Sequence, residues 1–317
     1  MEIKKNVLII TPVLNDWESL ELLMRLISSL PCLSNYFISV LAVNDGSTVL
    51  PSFNPSEFTS SGPIKDIEVL NLATNVGHQR AISVGLAYAH HKKKCDCVVV
   101  MDSDGEDRPE DIDRLIQLSE SSPGKVVFAE RCKRSEGILF VVFYHIYKAI
   151  FRLLTGFSIS YGNFCLIPSQ LLDQLLFISE LWSHFASAIT RSRIPVTTVP
   201  TVRGKRLAGC AKMSFTNLII LGMSAITVSI DKVSVRLIIG FLSISLFSGL
   251  AILVVISIKL FTTLAIPGWA TFATLGFSIL MLQALCISVL LTFLVLTFRT
   301  QKQFIPHNDF GQYLRDE

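Results

Sequence analysis

With 317 residues the chain can hold one large domain or two ordinary ones. Apolar residues make up 50% and charged residues only 17%, with a mean hydropathy of +0.53, which is too apolar for a wholly soluble protein. The net charge of +3 is far below the basic excess of a nucleic-acid binder, and no nucleic acid is expected as a partner.

In chain order, the opening MEIKKNVLIITPV has a charged start. Its apolar run is short and leads into Pro12 and Asn15 without a small-residue cleavage site, so it reads as a first β-strand rather than a signal peptide. Strands are predicted at Val7–Thr11, Ile38–Val43, Ile67–Leu70, Val98–Met101 and Lys125–Ala129, and helices at Trp17–Leu30, His78–His91 and Pro109–Ser121. Pro109 suits the first turn of its helix, where Glu110, Asp111 and Asp113 are favoured by the helix dipole. The βαβα order implies an α/β fold: an open, mostly parallel, Rossmann-like sheet with helices on both faces. HHKKKCDC (His90–Cys97) holds two histidines and two cysteines at zinc-like intervals. It joins a helix end to a buried strand, however, and is read as a connection rather than a metal site.

Further on, the apolar pattern of Gly137–Phe157 is interrupted by His145, Lys148 and Arg152. It is too short and too charged to span a membrane and reads as either an interfacial helix or a buried core helix. Ser214–Ile230 is a second interfacial candidate. No charged residue occurs from Leu237 to Ile258 or from Leu260 to Phe298, and each stretch exceeds the roughly 20 apolar residues that cross a bilayer. Spans are expected at Arg236–Ile258 and Pro267–Phe298. Lys232, Arg236, Arg299 and Lys302 flank the outer ends and only Lys259 lies between the spans, so the positive-inside rule places both ends in the cytoplasm. The expected organisation is a cytoplasmic domain at 1–213, a juxtamembrane interfacial helix at 214–235, a two-helix anchor at 236–298 and a cytoplasmic tail at 299–317. The seven cysteines are odd in number and scattered, so free thiols are expected.

Three polar motifs fall at strand ends: TPVLND (Thr11–Asp16), VNDGS (Val43–Ser47) and MDSDGED (Met101–Asp107). Ligands of such sheets bind at the carboxyl ends of the strands. On an extended strand end, residues i and i+2 point the same way. Asp102 and Asp104 can therefore aim two carboxylates at one point, with Glu106 one step further. Hard oxygen ligands in small number suit Mg²⁺ or Mn²⁺. The stretch is not an EF-hand, because the places that need Gly and Glu hold Asp107 and Asp113. Taken alone, it is compatible with a metal site or with a solvated acidic loop.

These motifs, with NVGHQRAISVGL (Asn75–Leu86) between the second and third, resemble those of family 2 glycosyltransferases with the GT-A fold. With the two C-terminal spans, the chain resembles the polyprenyl-phosphate branch, akin to dolichol-phosphate mannose synthases and bacterial undecaprenyl-phosphate glucosyltransferases. The likeness covers about Val7–Phe215 by motif. It implies a GT-A catalytic domain followed by two transmembrane helices. It also implies inverting transfer of a hexose from a nucleotide sugar, of the UDP-glucose or GDP-mannose type, to a polyprenyl phosphate at the cytoplasmic membrane face. Further partners it admits are a second copy of the chain and a flippase or downstream transferase.

The resemblance assigns Pro12, Asn15, Asp16, Asn44 and Asp45 to base and ribose contacts, and Asn75, His78, Arg80 and Asp102 to the rest of the nucleotide-sugar pocket. Asp102, Asp104 and Glu106 match the ligands of Mg²⁺ or Mn²⁺. Asn44 departs from the usual Asp-Asp-Gly-Ser, and Leu14 replaces a common Tyr. YGNFCLIP (Tyr161–Pro168) corresponds to a Gly-Asp-Phe-Arg-Leu pattern in which the Asp is now Asn163 and the Arg is Cys165. Asn163 cannot act as a base. A lipid phosphate, largely a dianion at neutral pH, needs only positioning and charge control. Arg131, Arg134 and Arg203 are assigned that task, and Arg203, Arg206 and Lys212 of RGKRLAGCAKMSF (Arg203–Phe215) are assigned to the acceptor phosphate. The catalytic set is then Asp104, Arg131, Asn163 and Arg203. Two rival readings are transfer to another membrane lipid and a degenerate, non-catalytic GT-A scaffold, the latter favoured by Asn44, Asn163 and Cys165.

Overall fold

The computed structural model describes the chain apart from residues 1–3, 52, 60–61, 132–137, 159, 210–214, 264–265 and 316–317, and apart from the side chains of 138–144 and 215–218. Arg134 and Lys212 therefore lie outside the described residues.

The apolar runs of the first half become strands because parallel strands buried on both faces need apolar side chains throughout. In order, the elements are β1 (Asn6–Val13), α1 (Trp17–Ser29), β2 (Phe37–Asn44), α2 (Ser56–Thr59), β3 (Ile64–Asn71), α3 (His78–Lys92), β4 (Cys97–Val100) and α4 (Asp111–Ser121). Then follow β5 (Val126–Arg131), α5 (Ile138–Thr155), β6 (Cys165–Pro168), α6 (Ser169–Leu176), α7 (Phe185–Arg191) and β7 (Val196–Thr201). Last come α8 (Phe215–Thr227), α9 (Ile230–Phe261), α10 (Trp269–Thr300) and α11 (Pro306–Asp309). The predicted strands and helices are all present. Sequence reading missed β6 and β7, short strands carrying Pro168 and Pro200, which weaken a strand signature.

The sheet has seven strands in the order β3-β2-β1-β4-β6-β5-β7, parallel except for β6, which runs antiparallel to β4 and β5. Alternation along β1 sends Leu8 and Ile10 to a core shared with α3, α6 and α7, and Val7 and Ile9 to a core shared with α1 and α4. Gly85 lets α3 lie close on the sheet: a Cβ there would stand 2.7 Å from Cγ2 of Val43. The strand order turns outward on both sides of the β1/β4 pair, which makes their carboxyl ends the switch point where an open α/β sheet binds ligands.

The chain forms two units. The first comprises residues 1–144, 158–228 and 303–317, and the second 145–157 and 229–302. In the second, α9 and α10 have 32 residues each and are long and apolar enough to cross a membrane. Their few buried positions include the small residues Ser245, Ser248, Ala284 and Ser288, while Leu246, Phe247, Leu253, Phe272 and Phe293 stay exposed. That is the pattern of helices that meet through small side chains and face lipid elsewhere. In α5, Ile146, Ile150 and Leu153 are exposed at helical spacing and Phe151 is buried, so the described half is not a buried core helix.

The segment after α10 belongs to the first unit. Trp182 meets Phe304 and Tyr313 at ring distances of 3.9 and 4.7 Å. The Ala73 N–H donates to the Tyr313 carbonyl, and the Arg315 N–H donates to that of Asn71. The described cysteines, Cys32, Cys95, Cys97, Cys165 and Cys286, are free, as expected.

Candidate active site

At the ends of β1 and β2, polar side chains are turned on the backbone. Asn15 has a left-handed φ of 52°, which its short amide tolerates. Its Oδ1 accepts from the N–H of Thr48 and of Val49, so it ties the first motif to the second. Asn44 accepts the Ser47 N–H on Oδ1 and donates from Nδ2 to Asn71 at 2.8 Å. An amide does both at once, whereas a carboxylate could not donate to Asn71. Asp45 is 3% exposed, and its two oxygens accept the N–H groups of Val76 and Gly77 at 2.7 and 3.0 Å. Burial pushes its carboxyl above the ordinary range against the pull of those two bonds. Gly46 has φ 73°, and a Cβ there would meet the Asn75 nitrogen at 2.7 Å. These expected nucleotide contacts therefore first hold their own loops, and Pro12 is a buried strand residue beside them.

The loop after β4 is different. Its carboxylates are held by guanidinium groups from β5 and from the basic loop. Arg206 bridges Asp104, at 2.9 Å from Oδ2, and Asp16. Arg203 places Nε and Nη2 on one oxygen of Glu106. Arg131 donates from Nη2 to Asp107 Oδ1 at 3.0 Å, and its Nη1 lies 4.0 Å from Glu106. The two loops also touch through backbone: the N–H groups of Gly204 and Leu207 donate to the carbonyls of Glu106 and Asp104. Gly204 is required by this approach, since a Cβ would stand 2.3 Å from the Gly105 carbonyl oxygen.

The sequence motif assigns Asp107 no role. It is 4% exposed, and its Oδ2 accepts the Asp102 N–H, so it fixes the turn that presents Asp102. Burial and the neighbouring Asp102 charge push its carboxyl well up, while Arg131 opposes them. No periodicity marks such a residue; only the Arg131 partner, which is distant in sequence, reveals it.

His78, at the first position of α3, brings Nε2 to 3.2 Å from Asp102 Oδ1 and 3.1 Å from the Asn163 amide nitrogen. The fold thus delivers Asn163, from the loop before β6, to the acidic loop. Cys165 is instead buried in β6 against the core and takes no part. Burial disfavours a charged His78, but Asp102, Asp107 and Asp45 carry it above the ordinary histidine range. Burial likewise opposes ionisation of Asp102, yet His78, Arg131 and Arg206 outweigh it and hold the carboxyl low.

The bonding of the acids themselves bears on whether they suit a cation. Asp102 Oδ1 is buried with His78 Nε2 3.2 Å away, and the carboxyl is held in its charged form. An ionised oxygen in that place suits a cation as well as an imidazolium. Asp104, two residues on, is paired with Arg206. Two carboxylates suit Mg²⁺ or Mn²⁺, which complete their shells with waters and phosphate oxygens. Glu106, the expected third ligand, is paired with Arg203, and among the described residues these three acids do not bring oxygens within 4.8 Å of one another. The Arg80 guanidinium lies 5.0 Å over the Trp182 ring, beside the C-terminal segment. Asn75 is exposed in the loop beneath Gly46.

Acids and arginines thus gather at the switch point of the sheet, a set that suits phosphate-bearing ligands. The class of this enzyme is the nucleotide-dependent glycosyltransferases. The chain belongs to glycosyl transferase family 2, whose family model matches residues 8–172, more than half its length. It is 29% identical over 240 residues to an uncharacterised glycosyltransferase of Bacillus subtilis, YkcC, covering 73% of this chain and 71% of that protein. It is 28% identical over 231 residues to the undecaprenyl-phosphate 4-deoxy-4-formamido-L-arabinose transferase of Yersinia enterocolitica, covering 70% of this chain and 67% of that one. Among solved structures, glucosyl-3-phosphoglycerate synthase of Mycobacterium tuberculosis was crystallised with Mn²⁺, UDP-glucose and phosphoglyceric acid. It matches with a TM-score of 0.51 at 14% identity, over 72% of this chain and 80% of that chain. That likeness establishes the shared GT-A fold.

Proposed function

We propose that this glycosyltransferase transfers a hexose, with inversion, from a nucleotide sugar to a polyprenyl phosphate at the cytoplasmic face of a membrane. The observation that carries the reading is the residue set around Asp102. The place of a catalytic acid is taken by Asn163, while Arg131, Arg203 and Arg206 stand on the acidic loop. The site is rich in phosphate-binding charge and has an amide where a base would be needed for an alcohol acceptor. A phosphate dianion needs no base. One of its oxygens forms the new bond to the anomeric carbon as the bond to the nucleoside diphosphate breaks on the opposite side, and no proton changes hands.

Each residue has a task in that step. Asp102 and Asp104 would hold Mg²⁺ or Mn²⁺. The ion would neutralise the charge that grows on the leaving diphosphate. Arg203 and Arg206, held on acids that a metal and phosphates can replace, orient the two phosphate groups. Arg131 stays on Asp107 and keeps the turn in place. Asn163 and His78 line the approach to the anomeric carbon.

The acceptor class is supported by the printed activity of the Yersinia relative and by the two apolar helices. Residues 303–317 belong to the unit that precedes α9. Lys232, Arg236, Arg299 and Lys302 at the outer ends of α9 and α10 favour the cytoplasmic side.

The test is sugar transfer by purified full-length protein. Radiolabelled nucleotide sugars are offered one at a time with undecaprenyl or dolichyl phosphate, with and without Mg²⁺ or Mn²⁺. The expected result is an organic-soluble, ion-dependent product from one donor. No such product from any donor contradicts the proposal.

A further inference from the structure

Three side chains from separated parts of the sequence meet at the end of α3 opposite His78. His90 lies in the last turn of α3, Asp173 in α6 and His307 in α11. Their ligand atoms all lie within 4.8 Å of one another. His90 Nε2 is 3.6 Å and His307 Nε2 is 3.5 Å from the same oxygen, Asp173 Oδ1. Tetrahedral zinc with bonds of about 2.0–2.1 Å sets its ligand atoms roughly 3.3 Å apart, so both spacings are within a few tenths of an ångström of that value.

The imidazoles are also oriented as ligands. His307 Nδ1 lies 2.9 Å from the Asn308 side-chain oxygen, which places the N–H on Nδ1 and leaves the Nε2 lone pair toward Asp173. Phe177 stacks on the His307 ring at 4.4 Å and fixes its plane. His91 packs on the other side, 4.7 Å from the His307 ring, with its own Nδ1 turned to the Ala87 carbonyl.

We infer that His90, Asp173 and His307 bind one divalent ion of the zinc class, and that this ion fastens the C-terminal segment to the catalytic unit. Two imidazoles and one carboxylate select Zn²⁺ over Mg²⁺ or Ca²⁺, with water completing the shell. The histidine-cysteine stretch at the end of α3 thus contributes His90 but not its cysteines. Cys97 is buried in β4, and Cys95 contacts Ser169. The remaining ligands come from α6 and from the far end of the chain. The fastened segment continues to Tyr313 and Arg315, which bond to Ala73 and Asn71, and Asn71 in turn holds Asn44. The ion would therefore brace the border of the donor pocket from outside it.

The experiment uses full-length protein in detergent, purified without a polyhistidine tag and stripped by chelator. Asp102→Asn and Asp104→Asn are present to silence the acidic loop. Zn²⁺ is titrated against a competing chelating dye, and amide hydrogen exchange is followed over residues 303–315. We expect one Zn²⁺ per chain and zinc-dependent protection of that segment. His307→Ala and, from the other side of the contact, His90→Ala should each weaken binding by more than about 100-fold and remove the protection. The inference is overturned if the chain retains no Zn²⁺, if binding survives both substitutions, or if exchange is the same with and without zinc.

Discussion

The two sides of the crevice use polar residues in opposite ways. At the ends of β1 and β2, Asn15, Asn44 and Asp45 bond mainly to backbone groups and to each other's loops. After β4, Asp104 and Glu106 bond to Arg206 and Arg203, and Arg206 also takes Asp16 from the end of β1. A backbone N–H held by a buried carboxylate has no substitute, so the first side is a fixed frame. An arginine on a carboxylate can be exchanged for a phosphate, and the carboxylate for a cation, at modest net cost. The second side is thus built to trade partners, and substitutions should separate the two.

The largest effect is expected at the exchangeable acids. Asp104→Ala should cut kcat/KM for sugar transfer by roughly 1,000-fold, the scale of losing a principal charge-stabilising group, with thermal stability near wild type. Full activity in both Asp104→Ala and Asp102→Ala would remove the acidic loop from the chemistry.

Gly204→Ala should come next. The methyl group forces the basic loop off Gly105, and strain of this kind costs about 1–3 kcal/mol. Transfer should fall at least about tenfold through displaced Arg203 and Arg206; an unchanged rate would mean that the loop contact is incidental.

On the fixed side, Asp45→Ala should act first on stability. It leaves two buried N–H groups unpaired at about 1–3 kcal/mol, read as a lowered Tm. If Tm held and only kcat fell, Asp45 would belong to the exchangeable side. Arg203→Ala should do the reverse: a KM for lipid phosphate about tenfold higher with Tm little changed, because the Arg203 side chain is half exposed.

The smallest effect is an acid sensitivity carried by His184, outside both groups. Burial pushes it down from 6.5 to about 4 while its Nδ1 accepts from Ser187 at the start of α7. In that window the unfolded chain binds the extra proton, so stability is full above 6.5 and falls as pH drops toward 4. His184→Asn, which can still cap α7, should flatten the decline of Tm with falling pH. Coincident pH profiles for variant and wild type would contradict this.

Much of this arrangement was legible in the sequence, for local reasons. Apolar runs and capping residues located β1 to β5 and α1, α3 and α4, because each is decided by its own side chains. The acids Asp102 and Asp104 were visible because a strand end presents alternate residues to one side. The role of Asp107 was hidden, since only Arg131 folded over it makes it a buried support. Glu106 was visible by spacing, but its pairing with Arg203, far along the chain, was not. Arg80 shared the α3 start with His78, yet helix geometry turns it to Trp182. The C-terminal segment read as a tail because its partners, Trp182, Asn71 and Asp173, are scattered over three other elements. Long-range pairing decided each of these outcomes, and periodicity carries no trace of it.

The central claim is that this site works without a base because its acceptor is a phosphate. The most direct measurement offers the full-length protein its productive nucleotide sugar with undecaprenyl phosphate in one series and with undecaprenol, the free alcohol, in another. Metal and detergent are held the same. Sugar should pass to the phosphate and not measurably to the alcohol. Comparable transfer to both lipids would show that a base operates after all, and that the reading of Asn163 and its arginines is wrong.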